Sequence, residues 1–155
     1  MSKEDILKEL EDYSTIMFGT PSENGGFDFR PMAIAKREKD YFYFITSLSS
    51  GKTSSIENNH EVILVAQSSS SFISVKGRGS ISEDYNLLKE LWNPNFQAWF
   101  PEGPSDPDVC LVTFTPSSGE IWDNGVLKKA KYIWEMISSN ISGKKASMPE
   151  NHDSF

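Results

Sequence analysis

No apolar run in this chain exceeds five residues; the longest are Tyr41 to Ile45 and Val62 to Ala66. A membrane-crossing helix needs about 20, so no membrane partner is expected. What the pattern favours is many short strands. Tyr13 to Phe18, Phe27 to Lys36, Tyr41 to Thr46, Val62 to Gln67, Phe72 to Ile81, Val109 to Thr115 and Gly119 to Asn124 all read as strands. Pro21 to Gly26 is turn chemistry. Arg37 to Asp40 reads as a polar hairpin connection between its flanking strands. Short connections with few helices predict a mainly β domain: an antiparallel six- to seven-stranded Greek-key sheet that closes into a split barrel. Parallel α/β architecture would require a crossover helix after almost every strand.

Helical spacing appears in four places. Residues 2 to 12 place Ile6, Leu7 and Leu10 on one face behind a Ser2 cap. Ser50 to Asn59 suits one or two turns carrying Ile56 inward. From a Ser82 cap onward, Leu87, Leu88, Leu91 and Trp92 form a stripe, and residues 125 to 138 read as a terminal helix. Residues 1 to 138 form one domain, and 139 to 155 a flexible tail. With 155 residues the chain can bury roughly 70% of its unfolded surface without staples. Its single cysteine, Cys110, excludes an internal disulfide framework, and His60 and His152 lack zinc-ligand spacing. A net charge of −7 disfavours nucleic acid as a partner. The charged N-terminus lacks the apolar centre of a secretory signal, which predicts a cytoplasmic protein.

The most informative stretch is Tyr43-Phe-Ile-Thr-Ser-Leu-Ser-Ser-Gly-Lys-Thr-Ser-Ser-Ile56. A strand runs through a hydroxyl-rich turn into a helix, so backbone N–H groups, hydroxyls and the Lys52 ammonium can converge on one anion. A solvated turn with an exposed lysine is the plain alternative. Gly51-Lys52-Thr53 looks like the end of a nucleotide P-loop, but the glycine required five positions before Gly51 is Thr46. A second element is Phe29-Arg30-Pro31-Met32-Ala33-Ile34, where a bidentate phosphate donor sits on restricted backbone. If residues 27 to 36 and 41 to 46 form a hairpin, Arg30 and Thr46 lie toward the same end and both cations reach one phosphate. Trp122 can lie against a planar ring, and the aromatic stretch Leu91 to Pro101 is either a lid or loop packing.

Together, Arg30-Pro31-Met32, Phe44-Ile45-Thr46-Ser47, Ser50-Gly51-Lys52, Phe72-Ile-Ser-Val-Lys-Gly77, Glu90-Leu-Trp92, Ala98-Trp-Phe-Pro-Glu-Gly-Pro104 and Trp122-Asp123 resemble the general stress protein 26 family. These are FMN-binding split barrels related to pyridoxamine 5′-phosphate oxidase. The resemblance covers about residues 5 to 135. It implies a homodimer with flavin at the interface and phosphate held by Arg30 and Lys52, assisted by Thr46, Ser47 and Ser50. It also implies Pro31, Met32 and Ala33 beside the ring, Ile45 and Gly51 among the cofactor-binding residues, and Ser74 and Trp122 near the flavin. Gly51 stands where the oxidase has a second arginine, and Ala35 where it has a lysine for the substrate's phosphate; its C-terminal Arg-x-His motif has no counterpart. Pyridoxamine phosphate oxidation is therefore not expected. The resemblance implies an FMN-dependent oxidoreductase or reductase in a stress response, taking a small-molecule substrate or electron donor. A flavin carrier or sensor, or a related barrel using FAD, haem or a deazaflavin, stands as the alternative; no catalytic residue or metal is indicated.

Overall fold

The computed structural model describes residues 2–123, 136–137 and 152–155. Its described elements, in chain order, are α1 (Lys3–Glu11), β1 (Ile16–Pro21), β2 (Phe27–Met32), β3 (Lys36–Glu38), β4 (Tyr41–Ser47) and α2 (Gly51–Asn58). Then come β5 (Glu61–Gln67), β6 (Ser71–Ser82), α3 (Tyr85–Leu91), two 3-10 turns (Pro94–Ala98 and Gly103–Ser105), β7 (Val109–Asp123) and β8 (His152–Ser154). All pairings are antiparallel, in the order β2-β1-β5-β6-β7-β4-β3, with β8 added to β7. The predicted split-barrel class holds, but the sheet does not close. Among the described residues β2 pairs only with β1, and β3 covers only Tyr41–Tyr43 of β4.

That opening corrects the expected hairpin of 27–36 with 41–46. Residues 27–32 belong to β2 at one end of the sheet, residues 36–38 to β3 at the other, and 33–35 cross between them. The reason is partly Pro31, which has no N–H to give a central ladder and so belongs on an edge strand. A second correction concerns 109–124. Two strands were expected there, but β7 runs unbroken from Val109 to Asp123. Pro116 is accommodated by a bulge: the register jumps between Lys76 and Gly77, leaving Ser117 without a Cα partner on β6. The Ser117 hydroxyl donates to the Lys76 carbonyl at 3.1 Å.

Alternation sets the core. Phe18, Phe42, Phe44, Leu64, Val75, Val112 and Phe114 point inward and are fully buried; each such side chain contributes about 1.5–3 kcal/mol of transfer free energy. Helix α1 adds Ile6, Leu7 and Leu10 to the same cluster. It begins as expected, with Ser2 and Asp5 in a reciprocal capping box. It is also tied to the β3–β4 hairpin, because buried Arg37 meets Glu4 at 2.7 Å and Glu11 at 3.3 Å. A smaller cluster on the opposite face of β4 and β7 joins Ile45, Val109 and Leu111 to Leu88 and Phe100. The cap of α3 is Asp84, whose carboxylate accepts from the Leu87 N–H at 3.2 Å; the expected cap, Ser82, is the last residue of β6. Within the segment read as a flexible tail, 152–154 pair with 120–122 and Phe155 exchanges backbone hydrogen bonds with Gly119; residues 139–151, and the predicted helix 125–138 apart from 136–137, lie outside the described residues.

Candidate phosphate and ring site

The opening between β2 and β4 is a cavity of about 530 Å³. One wall is Arg30, Pro31, Met32 and Ala33; the facing wall is Ile45, Thr46 and Ser47 from β4, with Lys52 reaching in from the first turn of α2. Arg30 and Lys52 therefore meet across the breach in the sheet, from its two ends. The anticipated meeting occurs, although neighbouring strands are not its cause.

Lys52 Nζ donates to the Thr46 hydroxyl and, at 3.1 Å, to the Ser50 hydroxyl. Arg30 Nη1 donates at 2.8 Å to the hydroxyl of Thr20, which is fully buried. Among the described residues neither cation forms an ion pair. Two partly buried positive charges without a carboxylate partner are costly unless an anion completes them. Both feel this cost. Burial lowers the Arg30 pKa, opposed by the charge of Asp28. Burial first, and the Arg30 charge second, lower that of Lys52. Cys110, opposite Thr46 on β7, is pushed up to about 11 by burial and is a neutral thiol at physiological pH.

The serine turn is used differently from the expected phosphate cradle. Asp108, just before β7, accepts from the Ser47 hydroxyl, from the Ser49 N–H at 2.9 Å and from the Ser49 hydroxyl at 3.2 Å. These bonds hold its pKa below the usual carboxylate range, the Ser47 hydroxyl contributing most. Ser47 thus lines the cavity while its hydroxyl is committed to the turn. Thr53 donates to the Ser47 carbonyl at 2.8 Å, and Ser50 makes no side-chain cap bond to α2. Gly51 does not line the cavity; a Cβ built on it meets nothing within 4 Å, so the position where the oxidase has an arginine is spacious.

Ser74 and Trp122 are not brought into this cavity. Ser74 lines a separate depression with Lys76, Glu120 and Phe155, and Trp122 stacks on the His152 ring with centroids 4.7 Å apart. Conversely, Phe96, Trp99, Phe100 and Asp108 complete the cavity and were not among the predicted site residues. The aromatic stretch both packs and lines the cavity: Phe100 is buried in the smaller cluster, while Trp99 stands 79% exposed. Its density of rings was the signal for the first three. Asp108 had a weaker one, a carboxylate on the residue entering a strand that pairs with the serine turn.

A family model described as Pyridoxamine 5′-phosphate oxidase like matches residues 2–147. The chain belongs to this family. Within it, the chain is 25% identical to a general stress protein 26 of Jannaschia sp. CCS1, with a TM-score of 0.72 over 98% of this chain and 96% of the other. It is also 25% identical to the general stress FMN/FAD binding protein of Xanthomonas citri, with a TM-score of 0.66 over 79% of this chain and 91% of that one. Protein bli-3 of Neurospora crassa is 29% identical over 123 residues, 68% of this chain. The chain spans 59% of that relative's own length. The resemblance to general stress protein 26 read from the sequence is thus borne out in family and in fold. No helix among the described residues is long and apolar enough to cross a membrane.

Proposed function

We propose that the chain binds FMN in the cleft between β2 and β4 and serves as a flavin-dependent oxidoreductase of the cytoplasm, in the stress setting its relatives' names describe. The observation that carries this is the convergence of Arg30 and Lys52, neither in an ion pair among the described residues, on one cavity with an apolar aromatic wall. Two cations and the Thr46 and Ser50 hydroxyls suit the double charge of a terminal phosphate monoester. Met32, Ala33, Phe96 and Phe100 suit a planar ring and exclude water from one of its faces. A bound flavin supplies the redox chemistry; the chain's own groups bind and orient it, and Asp108 keeps the 47–49 turn in shape. Calorimetry with FMN and FAD, alongside the 450 nm flavin band, tests the assignment, and absence of binding to both would refute it. Turnover of the loaded protein with reduced nicotinamide and simple acceptors then separates an oxidoreductase from a flavin carrier.

The titration of Lys52 gives a second test. Because its folded pKa is lowered, its charge is lost at a lower pH than that of an ordinary lysine, and a dianionic ligand selects the protonated form. FMN affinity is expected to fall as pH rises through that depressed value, with net proton uptake on binding. Across the window from there to about 10.4, the ordinary lysine value, the unfolded chain holds the extra proton, so the ligand-free protein becomes more stable as pH rises. Calorimetry in buffers of different ionisation enthalpy measures the uptake, and Lys52→Arg should abolish the alkaline decline.

A homodimer is part of the proposal. Strand register places Phe29, Met17, Phe72 and Trp122 on the outward face of the β2-β1-β5-β6-β7 ribbon, each 37–45% exposed. Ser74 shares that face through its pairing with Val65. A second copy seated there supplies what Ser74 and Trp122 cannot supply within one chain. Phe72→Asp combined with Trp122→Asp is expected to give a monomer by light scattering and to weaken FMN about tenfold or more. A dimer of unchanged size would place the contact elsewhere.

A further inference from the structure

A second cavity, of about 380 Å³, adjoins the first and shares Ala33 and Phe96 with it. Its other walls come from Ile34 and Ala35 and from the Leu91–Pro94 turn. The size falls in the range of small-molecule sites, roughly 300–1,000 Å³. No Lys, Arg, His, Asp or Glu lines it. The charged groups beside it are satisfied outside: Lys36 Nζ, one residue on from Ala35, lies 3.5 Å from Glu90 and 3.9 Å from Glu38. Trp92 presents a ring braced by Phe96 and Phe100, at centroid distances of 5.6 and 6.2 Å. The exposed lining is nevertheless about as polar as it is apolar, and Asn93 contributes an amide side chain to it. The Asn93 side-chain oxygen accepts from the Asn95 N–H at 3.0 Å, and among the described residues its NH2 makes no hydrogen bond and stands as a donor.

We infer that this cavity is the substrate site beside the flavin, and that it takes a neutral, planar molecule with hydrogen-bond acceptors such as quinone or nitro oxygens. The inference rests on the flavin reading for the word substrate, and on the cavity alone for the class of molecule. A charged ligand seated here would lose part of its hydration and meet no opposite charge on the lining, a cost that disfavours it against a neutral one. A flat ring instead gains contact with Trp92 and Phe96 over a wall that the cofactor cleft shares. The two neighbouring cavities thus divide the chemistry: one draws a dianion, the other disfavours it.

The test uses FMN-loaded protein and 2,3-dimethyl-1,4-naphthoquinone, whose methyl groups block the quinone carbons that thiols attack. The chain has four tryptophans, so the indole N–H signals in a nitrogen–proton correlation spectrum are few, and Trp92→Phe identifies the relevant one. The expected result is a saturable shift of the Trp92 signal, with the 6-sulfonated quinone binding about tenfold more weakly or worse. Ala35→Lys should reverse that preference. If this variant loses FMN uptake through misfolding, Pro94→Lys on the exposed rim carries the same reversal. Equal affinity for the neutral and sulfonated probes, or shifts confined to other tryptophans, overturns the inference. Parallel FMN calorimetry keeps the two readings apart. A Trp92 shift in protein that cannot take FMN sinks the flavin reading and retains the cavity's selectivity, whereas normal FMN binding without the shift does the opposite.

Discussion

Replacing both Arg30 and Lys52 by alanine is expected to weaken FMN binding by about 10²–10³-fold. One charge-assisted hydrogen bond is worth about 1.5–3 kcal/mol, so each single variant should lose roughly 10- to 150-fold. The double loss falls short of the summed single losses. The two cations repel one another in the ligand-free cleft, as the effect of Arg30 on Lys52 indicates, and a phosphate relieves that repulsion. Removing the first cation forfeits both its own bond and the relief; removing the second forfeits only a bond. Titration calorimetry on the two singles and the double resolves this coupling. Lys8→Ala, on an exposed part of α1, serves as the charge-matched control. Undiminished affinity in the double variant would move the phosphate to another part of the molecule.

Gly77→Ala is expected to give the largest loss of stability among single glycine-to-alanine substitutions. A methyl group there would sit 2.1 Å from the Thr115 carbonyl oxygen and 2.8 Å from the Phe114 ring. The first obstacle is backbone, held by the ladder on both sides of the bulge, and the second is a fully buried ring. Neither can step aside without disturbing β7. Overpacking of this kind costs about 3 kcal/mol, which lowers the melting temperature by roughly 6–12 °C in a chain of this size. Gly51→Ala, where the added carbon meets open space, should be neutral or slightly stabilising, since alanine is the better helix former. Thermal melts followed by circular dichroism decide both. A Gly77→Ala protein melting within 2 °C of the parent would show that the bulge can relax.

These two sites also mark what was readable from the chain alone. Arg30 and Lys52 were legible because the residue types fit phosphate and the serine turn gave Lys52 a context. The path that unites them was not, because alternation reports which face a residue takes and not which strand lies beside it. Pro31 was the overlooked signal that β2 is an edge. The two strands expected at 109–115 and 119–124 are one, because Pro116 between them sits at a bulge, and the glycine opposite it on β6 lies too far away in sequence to be associated with it. Ile6, Leu7, Leu10 and the Ser2 cap were read correctly because helix start and period are local properties. Phe96 and Trp99 were visible as a dense aromatic stretch, but their place on the cavity wall depends on β4 and β7 burying both faces, a tertiary fact.

The breach between β2 and β4 has a kinetic consequence. Among the described residues no ladder bond spans it, and side chains and the stiff ring of Pro31 line it instead. Entry therefore severs no main-chain hydrogen bond and has no partial unfolding to wait for. For the chain, the same doorway means that the strands around it can stay paired while a molecule passes between them.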